Sequence, residues 1–111
     1  MDKLATYQKL IKEILLEDKK FPPSHGDIEA MVVFDDERQS YQLMYIGWDR
    51  QRRVHSAIIH IRLRNDKIWI EWDGTQEGVA SKLMAGGVPK EDIVLAFYPE
   101  KKRHYTEFAV A

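Results

Sequence analysis

Three polar connections, each too short to cross a sheet, constrain this chain more than any other feature. Asp35-Asp36-Glu37-Arg38-Gln39, Asp49-Arg50-Gln51-Arg52 and Asn65-Asp66 separate four consecutive apolar segments. Parallel neighbours need a crossover of about a dozen residues or more, whereas two residues can join antiparallel ones. The four segments are therefore predicted to form an antiparallel meander. In the first, Ile28, Ala30, Val32 and Phe34 alternate with Glu29, Met31 and Val33. The second, Tyr41 to Trp48, is apolar on both faces. The third, Val54 to Leu63, has a β-branched run that makes poor helix, and Lys67 to Trp72 supplies the fourth.

Helical signals flank the meander. From Asp2 to Asp18, Leu4, Tyr7, Leu10, Ile11, Ile14 and Leu15 recur at steps of three and four, with Lys3, Lys9, Lys12, Glu13 and Glu17 between them. Asp2 is placed to cap this helix, Lys19-Lys20 suits its negative pole, and Phe21-Pro22-Pro23 forbids continuation. After Asp73-Gly74, Thr75 is read as the cap of a short helix with Val79, Ala80, Leu83 and Met84 on one face and Gly86-Gly87 at its end. Pro89 to Asp92 reads as a turn or one helical turn, Ile93 to Phe97 as a strand buried on both faces, and Tyr105 to Val110 as a segment in or beside the sheet. The expected fold class is α+β: an N-terminal helix, a four-stranded antiparallel meander, a second short helix, then one or two C-terminal strands. At 111 residues there is room for a single core, so residues 1–111 are expected to form one domain of roughly 6,400 Å² accessible surface.

Chemistry is harder to assemble from these residues. Zero cysteines remove disulfides, thiolate nucleophiles and sulfur-ligated zinc. His55 and His60 are five apart on a predicted strand, a spacing that puts them on opposite faces, and His25 and His104 lie in turns. Asp35-Asp36-Glu37 is contiguous, so its side chains diverge at a hairpin turn instead of converging on a cation. Gly86-Gly87-Val88-Pro89 lacks the lysine of a phosphate loop, and no serine lies in a nucleophile elbow. The expectation is a protein that is not an enzyme, with no catalytic, cofactor or metal residues. Met1-Asp2-Lys3-Leu4 begins neither a signal peptide nor a membrane span, which predicts a cytoplasmic protein without membrane contact.

Charge distribution says more than charge sum. Seventeen Lys and Arg against eighteen Asp and Glu give a net charge of −1, which argues against a generic polyanion binder. Yet Arg50, Arg52, Arg53, Arg62, Arg64 and Lys67 face the single acid Asp66 between positions 50 and 67, whereas five acids lie between Asp27 and Glu37. Arg50, Arg52 and Arg53 sit at one end of the third strand, with Arg62 and Arg64 at the other. Lys101-Lys102-Arg103-His104 adds a second basic run. These eight residues, Arg50, Arg52, Arg53, Arg62, Arg64, Lys101, Lys102 and Arg103, are the candidates for contact with a partner protein or with DNA. Trp48, Trp69 and Trp72 are the candidate interface aromatics. Trp69 and Trp72, three apart on a strand, are expected on opposite faces, one in the core and one exposed. Pairing of sheet edges and aromatics makes a homo-oligomer the expected state.

A longer set of residues carries a family resemblance. Met1-Asp2-Lys3-Leu4 with Tyr7, Pro23-Ser24-His25-Gly26-Asp27-Ile28-Glu29, Asp35-Asp36-Glu37-Arg38, Tyr41-Gln42-Leu43-Met44 and Gly47-Trp48 open it. Ile59-His60-Ile61, Lys67-Ile68-Trp69-Ile70, Asp73 to Gly78, Gly87 to Phe97 and Phe108-Ala109-Val110 continue it to the end of the chain. In these the sequence resembles the XisI family, small cyanobacterial proteins named fdxN element excision controlling factors. The resemblance implies control of DNA-element excision during developmental genome rearrangement, beside a separate recombinase and an endonuclease-like companion, XisH. It implies an accessory factor acting through that companion. The alternative is a DNA-binding directionality factor that contacts the recombination site through its basic loops.

Overall fold

A computed structural model describes residues 2–111, and Met1 of the N-terminal motif lies outside the described residues. Helix α1 (Lys3–Lys19) begins where the Asp2 carboxylate accepts a hydrogen bond from the Leu4 N–H at 3.0 Å. Strands β1 (Asp27–Asp35), β2 (Ser40–Asp49), β3 (Arg52–Arg64) and β4 (Lys67–Asp73) form the predicted antiparallel meander. Its turns are tight because the chain accepts positive φ at Gln39, Arg50, Asn65 and Asp66. Helix α2 (Val79–Ala85) and a 3-10 turn (Lys90–Asp92) lead to β5 (Ile93–Leu95), which pairs parallel to β4, so the sheet order is β1-β2-β3-β4-β5.

Helices α1 and α2 pack on one face of the sheet. Ile11 and Leu15 of α1 and Val79 and Leu83 of α2 are fully buried against Tyr41, Leu43, Ile59, Ile61, Ile68, Ile70 and Ile93. Full burial of each such side chain stabilises the fold by about 1.5–3 kcal/mol. Polar contacts lock α1 in register. Lys12 and the Tyr41 hydroxyl both bond to Asp36, and Lys3 and the Tyr7 hydroxyl both bond to Asp92. Burial opposes the charge on Asp92, but the Lys3 and Tyr7 hydrogen bonds outweigh it and hold the carboxyl below the usual aspartate range. The stabilisation is therefore present above the ordinary aspartate value and is lost as pH falls through the lowered one. Asp92→Asn should accordingly lose stability at neutral pH and flatten the acid side of the stability curve, read from denaturant midpoints at neutral pH and near pH 4. An unchanged acid slope would show that Asp92 is not the group responsible.

Two β-bulges decide which residues share a face. Register shifts once between Leu43↔Ile59 and Met44↔Ala57, leaving Ile58 extra, and again between His60↔Trp72 and Ile61↔Ile70, leaving Glu71 extra. Each extra residue reverses the alternation beyond it. His55 and His60 therefore share a face, opposite to expectation, two cross-strand rows apart on the partners Ile46 and Gln42. Trp69 and Trp72 likewise share the face away from the helices, a second correction. The expected split in burial still holds: Trp69 is 7% exposed and Trp72 54%.

One more expectation changes at the C-terminal half. The N-cap of α2 is Gly78, not Thr75. The Asp73 carboxylate accepts from the Val79 N–H at 2.7 Å and from both the N–H and hydroxyl of Thr75, while Thr75 Oγ1 accepts from the Gly78 N–H. Residues 105–110 make only an isolated parallel bridge, Val94↔Ala109, so there is one C-terminal strand. The basic run forms a short helix, α3 (Glu100–Arg103).

Candidate functional site

The face of the sheet opposite the helices is built in rows. Asp27, Trp48 and Arg53 form the first, followed by Glu29, Ile46 and His55, then Met31, Met44 and Ala57. Val33, Gln42, His60 and Trp72 make the fourth, and Asp35, Ser40, Arg62 and Trp69 the fifth. Over β4 and β5 the chain covers this face itself. Trp69 donates to the Arg64 carbonyl and lies beneath the Arg64 and Arg103 guanidinium groups, at 4.6 and 5.6 Å from its ring centroid. Arg103 is also bonded to the carbonyls of Tyr98, Ala96 and Val110, which ties α3 to the chain after β5 and to the C-terminal segment beside that strand. Over β1, β2 and β3, among the described residues, no helix lies on this face. Trp48 and Met31 stand 49% and 40% exposed there.

The basic candidates collect at the two ends of β3. Arg62, Arg64 and Arg103 gather around Trp69, with Lys101 and Lys102 exposed on α3 nearby in the chain. Arg62 is paired with Glu71 at 3.6 Å. Arg50, Arg52 and Arg53 sit roughly 35 Å away, at the tip of the β2–β3 hairpin. Arg53 lies over Trp48 at 5.3 Å, Arg52 pairs with Asp49 at 3.4 Å, and Arg50 is exposed beside His25, Gly26 and Asp49. This tip projects. β4 stops pairing at Ile59↔Asp73, so Arg52 to Ala57 have no strand on that side, and Ser56 is exposed although it points to the helix-bearing face. The radius of gyration, 14.6 Å, exceeds the roughly 13 Å expected of a compact chain this long. The accessible surface, 7165 Å², likewise exceeds the scaling value.

The acidic turn and His60 serve structure. Asp35 accepts from the backbone and side chain of Arg38, and Asp36 from Lys12 and Tyr41, and these bonds hold both carboxyls below the usual range. His60 shares a hydrogen bond with Ser40 at 2.9 Å, and burial lowers its pKa. Among the described residues no three His, Asp or Glu side chains converge in a way that could hold a metal ion, and no helix is long and apolar enough to cross a membrane. A cavity of about 680 Å³ between the end of α1 and the loop before α2 is floored by Leu43, Tyr45 and Ile58, with Asp18 at its edge paired to Lys82.

A family profile described as XisI protein matches residues 1–110. The chain belongs to the XisI family. Two solved structures share its fold. An XisI-like protein from Anabaena variabilis ATCC 29413 is 37% identical over 97% of this chain and 99% of its own, with a TM-score of 0.90. The fdxN element excision controlling factor XisI from Anabaena variabilis ATCC 29413 is 33% identical over 99% of this chain and all of its own, with a TM-score of 0.85. Curated proteins yield no match to the sequence. The XisI fold is thus the helix-backed meander seen here. Sequence reading missed Met31, Val33, Met44 and Ile46 as surface residues of interest, although an apolar β2 on both faces was the available signal.

Proposed function

We propose that this chain controls excision of a DNA element as a non-enzymatic accessory factor, binding a nuclease-like companion protein through the basic tip of its β2–β3 hairpin. A relative of nearly identical length and fold carries the name of an excision controlling factor. The observation that carries the reading is Arg50, exposed at the hairpin turn with φ at 59°. Left-handed backbone costs a non-glycine residue about 1–2 kcal/mol, and glycine or asparagine would sit there freely. Keeping an arginine at that cost, with Arg52 exposed beside it at the turn and outside the rows of the open face, gives up stability for a cationic contact surface.

Arg50→Gly should then separate the two properties. Its melting temperature is expected to rise by about 4–8 °C, because about 1 kcal/mol of strain is relieved. Its affinity for the companion, measured by titration of the purified proteins, should fall roughly three- to tenfold, as expected for one lost charge-assisted contact. Stabilisation with full binding would remove the tip from the interface. Salt-steep binding of the isolated chain to the element's ends would instead favour the DNA-binding directionality reading.

A further inference from the structure

We infer that the open face of β1, β2 and β3 is the contact surface for a second copy of this chain, related by a two-fold axis lying along β2. The rows nearest the tip place an acid on β1, an apolar residue on β2 and a basic or titratable residue on β3: Asp27–Trp48–Arg53 and Glu29–Ile46–His55. Rotation about an axis along β2 exchanges the β1 and β3 columns and keeps every row. Asp27 then faces the partner's Arg53, Glu29 faces the partner's His55, and Trp48 and Ile46 meet their own counterparts. An axis across the strands would set the first row on the fifth, opposing Asp27 to Asp35 and Arg53 to Arg62. Charge thus selects the first arrangement and opposes the second.

Shape agrees with charge. Arg64 of β3 and Arg103 of α3 cover Trp69 on the β4 side of this face, while among the described residues β1 is an edge strand with nothing paired beyond it. Stacked along β2, each copy's arginine-covered β4 side falls outside the other's β1 edge, where exposed Trp72 can pack. Three strands and five rows span roughly 14 by 30 Å in projection, and the flanking β4 side extends this toward the roughly 800 Å² per partner typical of a stable interface.

Sedimentation equilibrium of the purified chain tests this without any companion protein, so it succeeds or fails apart from the excision reading. The expected mass is twice 13.1 kDa at micromolar concentration. Ile46→Glu sets two carboxylates against each other on the axis and should give a folded monomer. Asp27→Arg should weaken the dimer about tenfold, and adding Arg53→Asp should restore it. Because Asp27 and Arg53 are exposed, this pair decides the matter even if Ile46→Glu unfolds. A monomeric wild type, a dimer indifferent to Ile46→Glu in folded protein, or failure of the double reversal to rescue the single one would overturn the inference. So would a monomer whose face is covered only in a complex with a different protein.

Discussion

Gly47→Ala should lower the melting temperature by about 10–20 °C, corresponding to about 2–4 kcal/mol. A methyl group at this position would lie 2.0 Å from the Asp27 carbonyl oxygen and 2.9 Å from the Ile28 Cα, and all of these atoms are backbone. A flexible side chain could swing aside, but a paired strand cannot. Relief requires pulling the start of β1 from β2, which breaks the Asp27↔Trp48 and Ile28↔Gly47 pairing and uncouples the acidic column of the open face from its apolar neighbour. Thermal melts followed by circular dichroism would measure the loss. A drop of only a degree or two would mean that this end of β1 is held loosely and gives way at little cost.

Asp73→Ala is expected to cost about 2–3 kcal/mol. One carboxylate holds the Thr75 N–H, the Thr75 hydroxyl and the Val79 N–H, and Val79 is fully buried at the start of α2. Removing the acceptor leaves a helix-terminal donor unsatisfied, and loss of a cap costs about 0.5–2 kcal/mol with a further penalty for the orphaned group. Asp73→Asn should fall between the two, because one oxygen remains. Hydrogen exchange would show where the loss resides: the α2 amides should lose protection before those of β2 and β3. Uniform loss across the sheet would point to a wider role for Asp73.

The meander, the first helix and the position of the short second helix were legible because turn length and apolar period are local properties. Asn65-Asp66 accepts left-handed backbone, so the third turn could be read directly. The bulges were not legible. Nothing in Ala57-Ile58-Ile59 or Ile70-Glu71-Trp72 marks Ile58 or Glu71 as the extra residue, because register is settled by which apolar side chains reach the core across strands. Both misassigned pairs, His55 with His60 and Trp69 with Trp72, span a bulge. Thr75 looked like a cap because it precedes an apolar helix pattern, yet the longer reach of Asp73 from the strand end takes that role. The C-terminal segment has strand propensity, but it meets the sheet only at the Val94↔Ala109 bridge, with Arg103 holding its Val110 carbonyl. Of the site, sequence supplied the basic residues and tryptophans but not their arrangement in rows.

The parallel pairing of β5 with β4 also bears on how the chain acquires its structure during synthesis. The strand pairings of β1 to β4 are all between chain neighbours and can form as hairpins within microseconds of emergence. Ile68↔Ile93 and the Tyr7–Asp92 bond instead join distant parts of the chain, and Arg103, which lies over Trp69, follows later still. Until the ribosome releases that stretch, Trp69 has only Arg64 over it and the apolar β4 edge stays unpaired, so the nascent chain is most open to aggregation in the interval between finishing its meander and receiving β5 and Arg103.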